Sequence, residues 1–247
     1  MARVFVNDST LSDIADAIRE KNGTEDTYKP SQMADAVRGI QSGGSDIDAD
    51  GYYVARYKYA SICQHDGKRL EFPSKMRIFV SYLSSFTSLF ADSKTLEEVE
   101  INHDGTINLT TIYRCFYAPN NNFTNLKKIV FNADTSKVTN FSQAFSHFDC
   151  SDGVEIIGEL DFSSATTAGQ VFQSSRGLKE VRFAKETLSV SISLQYCNNL
   201  SDESIQSIID GLATVETSQT ITFHADVKAK LTEEQIATIT SKNWTLA

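Results

Sequence analysis

A short apolar phrase recurs four times in this 247-residue chain, always with the same internal spacing. It reads Leu96-Glu-Glu-Val99-Glu-Ile101, then Leu126-Lys-Lys-Ile129-Val-Phe131, then Ile157-Gly-Glu-Leu160-Asp-Phe162, then Leu178-Lys-Glu-Val181-Arg-Phe183. Large apolar residues fill positions 1, 4 and 6 of each phrase. The steps between final residues are 30 (Ile101 to Phe131), 31 (Phe131 to Phe162) and 21 (Phe162 to Phe183). The match extends upstream, where Phe90 and Phe172 each stand six residues before the leucine that opens a phrase. Periods of this length belong to chains that stack similar units, each too small to bury its apolar face alone. One strand per unit then joins a shared sheet. Such a chain presents surface, and binding becomes the expected class of function.

The L-x-x-Φ-x-Φ spacing is that of leucine-rich-repeat solenoids, here expected from about Met76 to about Leu200. Phe116, Phe145 and Phe172 fall in the variable segments and are expected in the core. Asn120-Asn-Asn122 and Thr135-Ser-Lys137 suit turns, because short polar side chains bond the backbone locally. Terminal units need atypical caps. Tyr52 to Tyr59 is aromatic-rich and reads as a strand, and His65-Asp66-Gly67-Lys68 offers a turn before Arg69-Leu-Glu-Phe72. A β-hairpin over 52 to about 75 is therefore the expected N-terminal cap. At the other end Ser201 opens a helix through Leu212, and Thr220–Phe223 reads as a strand. Thr232 with Gln235 forms a capping box before Ile236 and Ile239, which share a helical face. Trp244 and Leu246 close this αβα cap and are expected to be buried.

Residues 8 to 40 read as two short helices. Leu11, Ile14 and Ile18 share one face, with Thr10 and Asp13 resembling a capping box and Gly23 as a stop. Pro30 opens the second helix, in which Met33, Val37 and Ile40 repeat the pattern. A hairpin this small does not bury enough surface to fold unaided. Its apolar stripe is the expected attachment site, covered in an oligomer, a trimer being favoured, or against a partner protein. Ser42 to Gly51, rich in Gly, Ser and Asp, is expected to be a flexible acidic linker. The expected organisation is mixed α/β: helical hairpin 1–41, linker 42–51, and a capped leucine-rich-repeat domain 52–247.

A net charge of −9 argues against nucleic acid, because phosphate neutralisation needs clustered Lys and Arg. No run of apolar residues is long enough to span a membrane, and the first residues lack the pattern of a secretory signal. The four cysteines, Cys63, Cys115, Cys150 and Cys197, include no C-x-x-C pair. They read as reduced, packed thiols, not as a zinc site or a disulfide framework. Asp46, Asp48, Asp50 and Gly51 match the first half of an EF-hand loop, but position 12 is Tyr57, which cannot supply the bidentate acid. A solvated linker is the expected reading and calcium the weaker one. His65, His103, His147 and His224 are scattered, and no nucleophile elbow or nucleotide-binding loop is present. No enzyme and no cofactor are expected.

Two segments carry a resemblance. Leu11-Ser-Asp-Ile-Ala-Asp-Ala-Ile-Arg-Glu-Lys-Asn-Gly-Thr, followed by Tyr28-Lys-Pro-Ser-Gln-Met-Ala-Asp-Ala-Val-Arg-Gly-Ile, resembles a helical segment of tail and other structural proteins from phages of Gram-positive bacteria. The run from Leu231 to Ala247 is similar to the ending of leucine-rich-repeat proteins in the same phages. The phrases between them resemble the BspA-like repeats of bacterial surface adhesins. The resemblance implies a virion protein that attaches to other virion structural proteins and faces a host cell-surface polymer or protein. Synthesis in the host cytoplasm and a final place on the virion follow as expectations. A purely structural collar, neck or head-decoration protein and a bacterial surface adhesin are the alternatives.

Overall fold

The computed structural model describes Ser12 and residues 14–16, 46–57, 73–80, 84–91, 93, 95–103, 108–118 and 123–247. The chain divides into two compact units, residues 1–44 and 45–247. In the first, Ser12 and residues 14–16 are helical, as the spacing predicts; Ala15 is buried and Ile14 is exposed.

The second unit is mixed α/β and built mainly on parallel strands. Its large sheet contains β1 (Asp46–Ile47), β2 (Tyr53–Tyr57), β3 (Lys75–Val80), β4 (Glu98–His103), β6 (Lys128–Phe131), β8 (Val154–Leu160) and β9 (Leu178–Phe183), in that spatial order. All neighbours are parallel except the β1–β2 pair. Strand order thus follows chain order. A second layer holds β5 (Phe116–Tyr117) and β7 (Phe145–Ser146), also parallel.

Alternation decides which face is buried, because successive side chains of a strand point to opposite sides. Met76, Ile78, Val99, Ile101, Ile129, Phe131, Val154, Ile156, Val181 and Phe183 point inward and are buried. Several outward positions are charged and pair across strands: Lys75 with Glu98 at 2.6 Å, Arg77 with Glu100 at 2.8 Å, Lys179 with Glu155 at 3.3 Å. These partly exposed pairs add little each. They keep much of the outward face of a parallel sheet polar, although Ile157 is exposed on it.

The core between the layers is a column of phenylalanines. Phe90, Phe116, Phe145 and Phe172 stack at centroid spacings of 4.9, 5.8 and 6.0 Å. Phe131 of the large sheet meets Phe145 of the second layer edge-on at 5.8 Å. The three phenylalanines expected in the core from sequence are fully buried. Beside the column, the hydroxyls of Thr110, Thr139 and Thr166 each donate to a carbonyl of the preceding turn: Ser84, Thr110 and Thr139 respectively.

The far edge is closed by α1 (Asp202–Gly211). Ser201 caps it by accepting from the Ser204 amide, and Asp202 and Glu203 complement the positive helix start. Its buried face carries Ile205, Ile208 and Ile209. The β9 amides of Val181 and Phe183 donate to the hydroxyls of Ser204 and Ser207 at 2.9 and 3.0 Å, so helix serines take the place of a further strand. A separate parallel sheet of β10 (Ile192–Leu194), β11 (Gln219–Phe223) and β12 (Trp244–Leu246) follows, with α2 (Ala225–Lys228) and α3 (Glu233–Ser241) between its last two strands. The α3 capping box forms as expected from Thr232 and Gln235. Trp244 is buried and donates to the Ala213 carbonyl at 2.8 Å. Lys242 donates to the carbonyls of Ile209, Asp210 and Leu212, satisfying the end of α1.

Four expectations need correction. The strand at Tyr53–Tyr57 is present, but it pairs antiparallel with β1 and parallel with β3, which follows the long connection that parallel pairing requires. The expected hairpin return over 69–72 lies outside the described residues. The expected linker 42–51 is structured at its end, since Asp46–Ile47 is a strand and Asp48 is bonded into the sheet. In the third phrase Ile157 is exposed, at 42%. A bulge in β8 re-aims the chain around Gly158, whose φ is +112°, and a Cβ there would sit 2.2 Å from the Phe131 carbonyl oxygen. Ile156, one residue earlier, takes the inward place opposite Ile129. Leu246, expected to be buried with Trp244, is only partly buried against the core.

Candidate binding surface

Successive turns of the second layer repeat one local pattern. Aligned on Phe90, Phe116, Phe145 and Phe172, the residue two places before each is Ser88, Arg114, Gln143 and Gln170. The first three adopt left-handed φ values of 55°, 54° and 56°. Side chains rarely accept that region, where each costs of order 1–3 kcal/mol. The backbone is held there from the neighbouring turn: the Ser88 amide donates to the Tyr113 carbonyl at 3.0 Å, and Arg114 to Ser142 at 3.1 Å.

Arg114 and Gln143 of this column bond to each other, and the row continues to Gln173, which stands one place after Phe172. Arg114 Nε donates to Gln143 Oε1 at 2.8 Å, and Gln143 Nε2 donates to Gln173 Oε1 at 2.9 Å. The Arg114 guanidinium lies over the rings of Tyr113 and Tyr117, 4.8 and 4.5 Å from their centroids. Tyr117 also meets His147 edge-on at 5.3 Å. Among the described residues no carboxylate pairs with Arg114. Where Gln173 ends the row, a depression of about 90 Å³ opens, lined by Gly169, Gln170, Gln173, Ser193, Gln195 and Tyr196. With the lining of the depression, the row therefore joins aromatic edges, four primary amides (Gln143, Gln170, Gln173 and Gln195) and one cation across consecutive turns. Its chemistry is neutral, bidirectional hydrogen bonding beside ring surface.

Sequence reading passed over these residues because it tracked the strand phrases. Aligning the phenylalanines brings out Arg114, Gln143 and Gln170, whereas Gln173 falls out of that register.

A second cluster stands at the opposite edge of the large sheet. Tyr52 donates to Glu98 Oε2 at 2.6 Å, and Lys75 bonds the other Glu98 oxygen. The Lys75 and Tyr52 hydrogen bonds hold Glu98 below the usual glutamate value. The bond to Glu98, with burial, raises the Tyr52 phenol to about 12. Arg77 bonds both Asp48 and Glu100. Asp48 and Asp50 belong, with Asp46, to the weaker calcium candidate of the sequence. One Asp48 oxygen accepts from the amides of Asp50 and Tyr52 and the other from Arg77, so the segment is a hairpin turn whose central carboxylate is already occupied. Among the described residues no group of three or more His, Cys, Asp or Glu side chains is placed to hold a metal ion.

Of the expected attachment residues, Ile14 is helical and 41% exposed, while Leu11, Ile18, Met33, Val37 and Ile40 lie outside the described residues. Cys115, Cys150 and Cys197 are buried thiols, in line with the sequence reading, and Cys63 lies outside the described residues. Burial pushes the Cys150 thiol up to about 11 and the Cys197 thiol higher still. Neither is a nucleophile at neutral pH. Among the described residues no helix is long and apolar enough to cross a membrane. In comparison with known proteins no family model, no curated protein and no solved structure matches the chain.

Proposed function

We propose that this chain is a non-enzymatic component of a phage virion, in its tail, baseplate or fibre. Its N-terminal helices hold it to other virion proteins or to copies of itself, a trimer being favoured. The parallel-strand unit, read as a leucine-rich-repeat solenoid with caps, is displayed toward a polymer or protein of the host surface. The observation that supports a binding role most directly is the row Arg114–Gln143–Gln173, which places one recognition chemistry on consecutive turns. The attachment role rests on the apolar stripe around Ile14 and on the resemblance of the terminal segments. Many copies on one particle multiply weak contacts by roughly 10²–10⁴ in apparent affinity.

The test has two parts. Immunogold labelling of intact particles locates the protein, and the purified chain is assayed for binding to a panel of Gram-positive cells. Labelling at the tail tip together with cell binding is the expected result. Labelling at the neck or head with no cell binding would favour a collar or decoration role instead. In the double substitution Ile14→Asp with Ile18→Asp, incorporation into particles should fall while the unit 45–247 stays folded by circular dichroism.

A further inference from the structure

We infer that the row from Tyr113 to Tyr196 binds a neutral glycan chain lying along the stack, an inference that rests on the display role above. Three features converge on that ligand class. First, the groups offered are those a polyol satisfies. Gln170, Gln173, Gln195 and Ser193 around the depression each both donate and accept, matching hydroxyls that do the same. Second, the row combines these groups with aromatic surface, since Tyr196 is 38% exposed beside the depression and Tyr113 and Tyr117 flank Arg114. An apolar ring beside precisely placed polar groups is how ligand sites fix orientation. Third, the row runs along the stack from turn to turn. Gln143 and Gln173 are bonded side by side on adjacent turns, about 4.8 Å apart as neighbouring strands are. That step is comparable to the advance per residue of an extended pyranose chain, so successive turns meet successive sugars in register.

The alternatives fit less well. A polyanion faces a chain of net charge −9 with one cation in the row. A folded protein partner needs a wide apolar centre, and this row is narrow and amide-lined. The small depression is too shallow to enclose a free ligand, but it suits one ring of a polymer held at several points.

The left-handed backbone at Arg114 and Gln143 belongs to the same device. It turns two polar side chains onto the outer surface, one above the other, at a position where glycine would be the least strained residue.

The experiment uses the full chain and Gram-positive cells to which it binds. Cells are tested untreated, after periodate oxidation of vicinal diols, and after proteinase K digestion. The expected result is that periodate abolishes binding and protease leaves it intact. The variant Gln170→Ala with Tyr196→Ala, both at exposed positions, should bind untreated cells at least tenfold more weakly with an unchanged melting curve. Binding that survives periodate, is lost to protease, or is the same in the variant overturns the glycan assignment and leaves the display role standing. Absence of binding to any cell removes the display role instead. The glycan assignment is then decided by native electrophoresis in gels containing dextran, soluble starch, hydroxyethyl cellulose or mannan. Retardation by one of them that the variant loses supports it, and no retardation overturns it.

Discussion

Phe145 shows at the scale of a residue how this unit holds together. Its ring touches Phe116 and Phe172 along the stack and Phe131 across it, at 5.8, 6.0 and 5.8 Å. Neighbours locked at fixed spacing on both sides cannot collapse into a gap. Phe145→Ala should therefore cost about 3–5 kcal/mol, while Glu155→Ala on the wet face should cost under about 0.5 kcal/mol. Urea titration of both variants checks the contrast, and a neutral Phe145→Ala would contradict the core described here. Gly158 makes a different case, because backbone conformation and space act together. A side chain there meets a φ of +112° and the Phe131 carbonyl at 2.2 Å. Gly158→Ala should lose more than the roughly 1–3 kcal/mol that strain alone costs, since β8 must also move away from β6. Thermal melting measures that loss.

At the scale of an element, the edge around β1 to β4 is held by charge and the edge at β9 by helix hydroxyls. Glu98 links β4 to Lys75 of β3 and to Tyr52, and those bonds lower its pKa relative to the unfolded chain. A depressed carboxylate contributes stability above its unfolded pKa and loses it as pH falls through the folded value. Stability from this edge should thus be constant near neutrality and decline below the ordinary glutamate value of 4.5. Denaturation midpoints measured from pH 7 to pH 3 for wild type and Glu98→Gln should converge as the pH falls. A gap between them that persists at pH 3 would show that the carboxylate charge is not what ties β4 to its neighbour. At β9 the strand amides are met by hydroxyls instead, Ser204 and Ser207 accepting from them.

The whole molecule raises the question of where independent folding begins. The boundary between the two compact units falls after Gly44 in the chain, and β1 and Asp48 belong to the second. A fragment of residues 45–247 should unfold cooperatively within a few degrees of the full chain. Residues 52–247, which lack β1 and the Asp48–Arg77 pair, should melt roughly 2–4 °C lower, the shift that a ~1 kcal/mol loss causes in a domain of this size. Differential scanning calorimetry distinguishes the two fragments. Loss of a cooperative transition in residues 45–247 would show that the first unit completes the core of the second.

By itself the sequence determined the features whose causes are local. Alternation in Leu96–Ile101, Leu126–Phe131 and Leu178–Phe183 is enough to say which residues face inward, because strand geometry sends neighbours to opposite sides. Ser201 and the Thr232–Gln235 pair announce their helices for a similar reason, since a cap involves residues three apart. Tertiary structure decided what depends on residues about thirty apart. Ile157 occupies an apolar place in the phrase, yet the approach of Gly158 to the Phe131 backbone shifts β8 and hands the inward place to Ile156. Tyr53–Tyr57 reads as a strand from composition, but its partner was set by the sheet, because the same strand can pair either way. The row Arg114–Gln143–Gln173 exists only because consecutive turns place side chains 29 and 30 residues apart within hydrogen-bonding distance.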